Sequence, residues 1–259
     1  MLLLPGCGED KPDAQPTDNR AAAADGNSAA ATPVADAKPV TIEHKDDVLE
    51  FSYAWPAEAA AIPKLNDWLN GNAAKIEAQF RKQGQEDKVA AEKDDFPYHA
   101  YGYEEKLGVA GDTPRVLVLD SEGYVYTGGA HGYPVNTVII WDKQTEKRLA
   151  AASLIDMARL ASIGRTEYCA ELNRQRAERR QGMDDGGMMD EFTQCPDMTK
   201  QSVYPVSRGG KALDTIHIWI GPYEAGPYAE GIYEIDLPVD AALMGTVQPG
   251  YRDAFAPAG

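Results

Sequence analysis

The sequence is short of the groups on which most enzymes and nucleic-acid binders are built. Only four histidines occur, His44, His99, His131 and His217, and none stands at metal-ligand spacing from another. There is no Gly-x-Ser-x-Gly elbow, no His-Glu-x-x-His and no Walker loop, so neither catalysis nor a bound cofactor is expected. An abundance of carboxylates leaves a glycosidase pair open. Basic residues are scarce: 25 Lys and Arg face 41 Asp and Glu, for a net charge of −16. That balance excludes the basic footprint of a nucleic-acid partner and disfavours anionic lipid. It suits plain solubility or a cationic partner equally well. No run of about 20 apolar residues exists, so no transmembrane helix is expected. The cysteines number three, too few for a disulfide-dense scaffold.

What is present begins with location. The start, Met1-Leu2-Leu3-Leu4-Pro5-Gly6-Cys7-Gly8, resembles the end of a bacterial lipoprotein signal. Residues 1–7 would then be a signal remnant, and the positive n-region would lie upstream of the given start. The resemblance implies lipidation of Cys7, the only membrane attachment expected. Gly8, rather than Asp, at the next position implies the periplasmic face of the outer membrane. Residues 8–39 are rich in Ala, Pro, Asp, Gly and Asn and contain no aromatic residue. Such a segment cannot bury enough surface to offset its ordering entropy. As a coil of about 30 residues it would reach roughly 30 Å.

From residue 40 onward the pattern is that of a folded body, and a hydrophobic content of 43% can fill a core. Val48, Leu49, Phe51 and Tyr53 predict a strand ending before Pro56. Pro63 suits a first helical turn. Leu65, Trp68, Leu69, Ile76 and Phe80 then recur at helical spacing to about Gln83. The polar stretch 83–95 reads as a loop or frayed helix end. Residues 98–103 read as a tyrosine-rich strand and 107–114 as a hairpin connection. Val116, Leu117, Val118 and Leu119 form an unbroken apolar run suited to a buried strand. A second helical region is expected to begin at 153–157, with Ser162 as the N-cap of a helix running to about Gln181. Its basic end, Arg174, Arg176, Arg179 and Arg180, reads first as a solvated face that complements the helix dipole. In the last third, Ile216, Ile218 and Ile220 alternate with His217 and Trp219. A further strand follows at 232–237, and a short helix at 239–244.

The chain is organised around residues 124–142. Tyr124, Val125, Tyr126 and Thr127 run into Gly128-Gly129-Ala130-His131-Gly132, and Thr137 to Trp141 follow. Aromatic and β-branched residues favour a pleated, half-buried surface, and the glycines permit a sharp reversal. The pattern predicts a β-hairpin in which 124–127 pairs with 137–141. His131 reads first as a turn residue.

The motif Tyr-x-Tyr-Thr-Gly-Gly-Ala-His-Gly, followed by a strand and Trp-Asp-x-x-Thr, resembles the paired domains of the extracellular part of RsiV-type anti-sigma factors. The same pair precedes the catalytic domain of PdaC-type peptidoglycan deacetylases. Family members usually have Gly where this chain has Glu146, which implies a reshaped turn after Trp141. A second stretch, Pro222-Tyr223-Glu224, then Pro227-Tyr228-Ala229 and Gly231, lies between strands and resembles the second domain of the pair. Together the matches cover about residues 40–244. The expected fold is α+β: antiparallel sheets with packed helices in two small subdomains, 40–148 and 149–259. The anti-sigma relatives bind lysozyme, and the deacetylase relatives keep their chemistry in a separate domain. The resemblance therefore implies a non-catalytic binder of a basic wall-associated protein such as lysozyme, with a peptidoglycan-binding module as the alternative.

The proline-stiffened, tyrosine-bearing loop is the candidate contact surface. Its candidate residues are Pro222, Tyr223, Glu224, Pro227 and Tyr228, joined by Tyr126 and His131 from the glycine-rich turn. Residues 221–259 hold six acids and one base, a local charge complementary to a cationic groove. The other reading is a structural loop whose tyrosines pack on the sheet. Finally, Cys169 and Cys195 form a possible disulfide in an oxidising compartment. Closing a loop of about 27 residues would stabilise by about 3 kcal/mol. The loop would enclose an acidic, Met-rich excursion at 183–190.

Overall fold

The computed structural model describes residues 36–180, 189 and 192–259. Cys7, most of the expected tether and all of the 183–190 excursion except Met189 lie outside the described residues.

In chain order, strands β1 (Val40–Lys45) and β2 (Leu49–Trp55) form an antiparallel hairpin. The Asp46 carboxylate caps its turn by accepting from the backbone N–H groups of Val48 and Leu49 at 2.9 and 3.0 Å. A short helix α1 (Ala57–Ala60) leads into the long helix α2 (Pro63–Lys93), which has Pro63 in its first turn. Helix α2 is the crossover that lets β3 (Tyr101–Asp112) lie parallel to β2, a pairing no tight turn can make. The other strand pairings are antiparallel: β4 (Val116–Tyr126), β5 (Tyr133–Val135), β6 (Val138–Asp142) and β7 (Lys147–Leu149) complete the first sheet. Helix α3 (Met157–Arg179) then precedes a second sheet of β8 (Ser202–Val206), β9 (Thr215–Ile220) and β10 (Tyr233–Pro238). Helix α4 (Ala241–Met244) follows. The fold is α+β, as the sequence pattern predicts.

Several local expectations are corrected. Residues 83–93 continue α2 rather than forming a loop. Gln, Glu, Lys and Ala there are good helix formers, and tertiary ties hold the polar end. Tyr101 donates its hydroxyl to Asp87, and Lys88 pairs with Asp47 at 2.6 Å. Residues 107–112 belong to β3 and carry a bulge between Val109 and Gly111. Helix α3 starts at Met157, capped by Asp156, whose carboxylate accepts from the Arg159 N–H at 3.0 Å; Ser162 lies inside the helix. The central hairpin is offset. Residues 123–125 pair with β5, while β6 pairs with residues 116–120. Glu146 itself takes the left-handed conformation usually left to glycine, at φ 51°, and its carboxylate pairs with Lys64.

The first sheet is the middle layer. On one face, α2 packs Leu65, Leu69 and Ala73 against Phe51, Tyr53, Tyr103, Leu117, Leu119 and Ile139. The opposite face of β4 and β6 presents Val116, Val118 and Ile140 to a second core built from α3 and the second sheet. That double burial explains the unbroken apolar run at 116–119. Among the described residues this second layer does not extend over β1, β2 and the first half of β3, and the sheet face there lies open. Cys169 on α3 is bonded to Cys195, with Cα atoms 5.6 Å apart.

A polar row, Tyr204–His217–Asp236, runs across β8, β9 and β10. Tyr204 donates its hydroxyl to Asp120 of β4 at 3.0 Å. Burial alone would depress the His217 pKa, but Asp236 at 2.6 Å and Glu234 at 3.6 Å override it and raise the value from 6.5 to about 9. A raised folded-state pKa stabilises fully below the unfolded value and is lost as pH rises through the folded one. The thermal midpoint should therefore fall between pH 6.5 and about 9. His217→Gln should flatten that decline in a pH series of melts.

Candidate functional site

The glycine-rich turn and the Pro-Tyr loop, some 90 residues apart in sequence, meet at the rim of the first sheet. Tyr133 donates its hydroxyl to the Pro222 carbonyl at 2.5 Å, and Tyr228 donates to the Gly132 carbonyl at 2.7 Å. The His131 and Tyr228 rings stack with centroids 3.8 Å apart, and the Tyr223 ring lies 5.7 Å from that of Tyr228. Tyr124, Tyr133 and Tyr223 are exposed to 43%, 37% and 52%. Rigid aromatic surface of this extent, gathered from two segments, forms a ledge with little rotamer entropy to lose on contact.

The turn is shaped by its glycines. Gly128 and Gly129 take φ of 92° and 88°. Gly132 makes the closest approach: its N–H donates to the Tyr124 hydroxyl at 2.8 Å, and a Cβ there would sit 2.5 Å from the Tyr124 ring and from the Val125 carbonyl. Tyr126 reaches across the turn to the Gly129 carbonyl at 3.1 Å.

The loop is held from beneath by the basic end of α3, where Arg176 and Arg180 turn inward instead of lying on the expected solvated face. Arg176 is buried and donates to the Ala225 carbonyl from Nε and Nη2 at 2.9 and 2.7 Å, and to the Gln194 carbonyl at 2.8 Å. Burial pushes its guanidinium below the usual range. Arg180 pairs with Glu230 at 2.7 Å, both side chains nearly covered. Burial opposes ionisation of Glu230, but the bonds from Arg180 and Tyr233 win and hold its pKa low. Arg179 lies over the Tyr233 ring at 4.0 Å and donates to the Glu230 and Ile232 carbonyls. Arg174 and Arg179 are exposed, and Arg174 is bonded to Glu171 and Glu178 of its own helix.

Of the candidate residues, His131, Tyr223 and Tyr228 come together directly, while Tyr126 bonds within the turn and Glu224 follows Tyr223 on the loop. Pro222 is buried and serves as an acceptor and spacer, and Pro227 is half-buried. Tyr124 and Tyr133 join the ledge without having been singled out in the sequence. Alternation along 124–135 could have found them, had the offset pairing been apparent. Among the described residues no group of His, Cys, Asp and Glu could hold a metal ion.

Beside the ledge, the open sheet face forms a shallow groove of about 610 Å³, bordered by Tyr124 and Tyr126 and floored by β1, β2 and β3. No helix among the described residues is long and apolar enough to cross a membrane.

No curated protein matches the sequence significantly. A crystal structure of a DUF3298-family protein from Pseudomonas aeruginosa PAO1 is similar at a TM-score of 0.51 and 16% identity, over 88% of this chain and 99% of that one. A DUF3298-family structure from Bacteroides fragilis NCTC 9343 is similar at 0.53 and 16%, over 86% and 98%. At such identity the likeness is one of fold. Residues 42–133 match the family described as deacetylase PdaC, a stretch that carries the groove and the glycine-rich turn but not the Pro-Tyr loop. By sequence and by fold, then, the chain is similar to PdaC-type and DUF3298-type domains.

Proposed function

We propose that the protein is a non-catalytic envelope module that binds a cationic wall-associated protein, of which lysozyme is the model partner, through the tyrosine ledge. One observation carries this reading. Tyr223 is more than half exposed and sits at φ 69°, a left-handed conformation that costs a bulky residue about 1–2 kcal/mol. A costly backbone state that holds an aromatic ring out in solvent is better explained by contact than by folding. Exposed Glu224 beside it and the net charge of −16 suit a basic partner. The disulfide fits an oxidising compartment, and a lipid on Cys7 would moor the body to the outer membrane's periplasmic face.

The test separates binding from folding. Tyr223→Gly should raise stability by up to about 1 kcal/mol, because glycine takes φ 69° without strain. The same change should weaken retention on immobilised lysozyme about tenfold, with wild-type retention strong at low salt and lost at high salt. Absence of wild-type retention at low salt would reject the reading. A peptidoglycan-binding role is favoured by the Tyr124 and Tyr126 border of the groove. It predicts sedimentation with purified sacculi that is insensitive to salt.

A further inference from the structure

We propose that the open sheet face is a second half of the same binding surface: a seat for an arginine side chain on an extended basic segment of the partner. This rests on the reading of the ledge as a protein-binding surface and extends it to a part of the molecule that the sequence does not mark.

Strand register builds the seat. Glu43, Ser52, Glu104 and Tyr124 form one row across β1, β2, β3 and β4, and Lys45, Glu50, Gly102 and Tyr126 form the next. These rows point away from α2, which covers the Phe51 and Tyr103 face. Strands lie about 4.8 Å apart, so Glu43 and Glu104 stand roughly 10 Å apart on either side of the small Ser52. Lys45 is matched by Glu50 at 2.7 Å. Glu43 and Glu104 are exposed and enter no ion pair among the described residues. The groove therefore carries unmatched negative charge.

Gly102 supplies the depth. It has no side chain to fill the floor, and a Cβ there would make ordinary contact with Tyr126 at 3.5 Å. A larger residue at 102 would occupy the groove without straining the strand. An arginine suits this setting better than a sugar. Its stem can lie over Gly102 and against the tyrosines, which also offer ring faces to a cation. Its planar guanidinium can meet a carboxylate with two parallel bonds. Tyr124 belongs to both surfaces, bordering the groove and bonding Gly132 of the turn, so one partner segment could cross from one to the other.

The full chain should be titrated with fluorescent tetra-arginine at low salt, followed by anisotropy. Glu43→Gln with Glu104→Gln should weaken binding about tenfold, and Gly102→Lys should abolish it. Glu92→Gln with Asp253→Asn removes as much charge from exposed sites elsewhere and should leave the affinity unchanged. Tyr223→Ala, on the ledge, should also leave tetra-arginine binding intact while weakening lysozyme retention. The ledge and the groove can therefore fail separately. Absence of tetra-arginine binding, or equal loss from the groove pair and the remote pair, would overturn the proposal. So would undiminished binding by Gly102→Lys, or displacement of the peptide by chitotetraose.

Discussion

Arg176→Ala should destabilise the protein by about 3 kcal/mol, and partner binding should be lost with it. The side chain is buried and bonds carbonyls in two separate segments, at Ala225 and at Gln194. Hydrogen bonds from a charged donor contribute about 1.5–3 kcal/mol each. Burial of the cation offsets part of that sum, as its depressed pKa indicates. Truncation also leaves the Ala225 carbonyl without the two bonds it accepts from Arg176. Urea denaturation gives the stability change, and amide exchange over 222–232 should rise in the variant. Arg176→Lys should not rescue it, because one ammonium cannot reproduce a fork that reaches two segments. Arg174→Ala, in the same basic run, should change stability by less than about 0.5 kcal/mol, since its partners are exposed and on its own helix.

Cys169→Ser with Cys195→Ser should cost a similar amount. The bond closes a loop with a sequence separation of 26 residues, for which chain entropy predicts about 3 kcal/mol. Its position adds a second effect. Cys195 follows Gln194, whose carbonyl is one of the Arg176 acceptors. Opening the bond frees that acceptor to move, so the Pro-Tyr loop should loosen together with the 193–195 segment. Denaturation of the double variant, compared with that of the reduced wild type, checks both. Equal stability of oxidised and reduced protein would refute the expectation.

These two sites show what could and could not be read along the chain. Local patterns held where burial is one-sided and periodic. The Ile216, Ile218 and Ile220 alternation became β9, and the residues around Leu65 and Leu69 became the buried stripe of α2. Patterns misled where a distant contact decided the outcome. The end of α2 reads as a loop or frayed helix end because its residues are polar, and only Asp47 of the β1–β2 turn and Tyr101 of β3 show why it stays helical. The arginines of α3 read as a solvated face because nothing nearby in sequence announces that Ala225 and Glu230 will lie beneath the ledge. The candidate site was legible in its tyrosines, since their density in two turns is unusual. Its groove was not, because a row such as Glu43–Ser52–Glu104–Tyr124 exists only once four strands are in register.

The shared strands β4 and β6 have a further consequence. Alternate residues of the same few peptide units feed opposite cores, Leu117 and Leu119 one and Val116 and Val118 the other. No cut through the molecule spares both hydrophobic interiors, so heat or denaturant should melt the halves in a single step. The far end of β4, where β5 pairs with it, carries the rim on which turn, loop and groove converge, so one continuous strand ties the binding surface to both interiors.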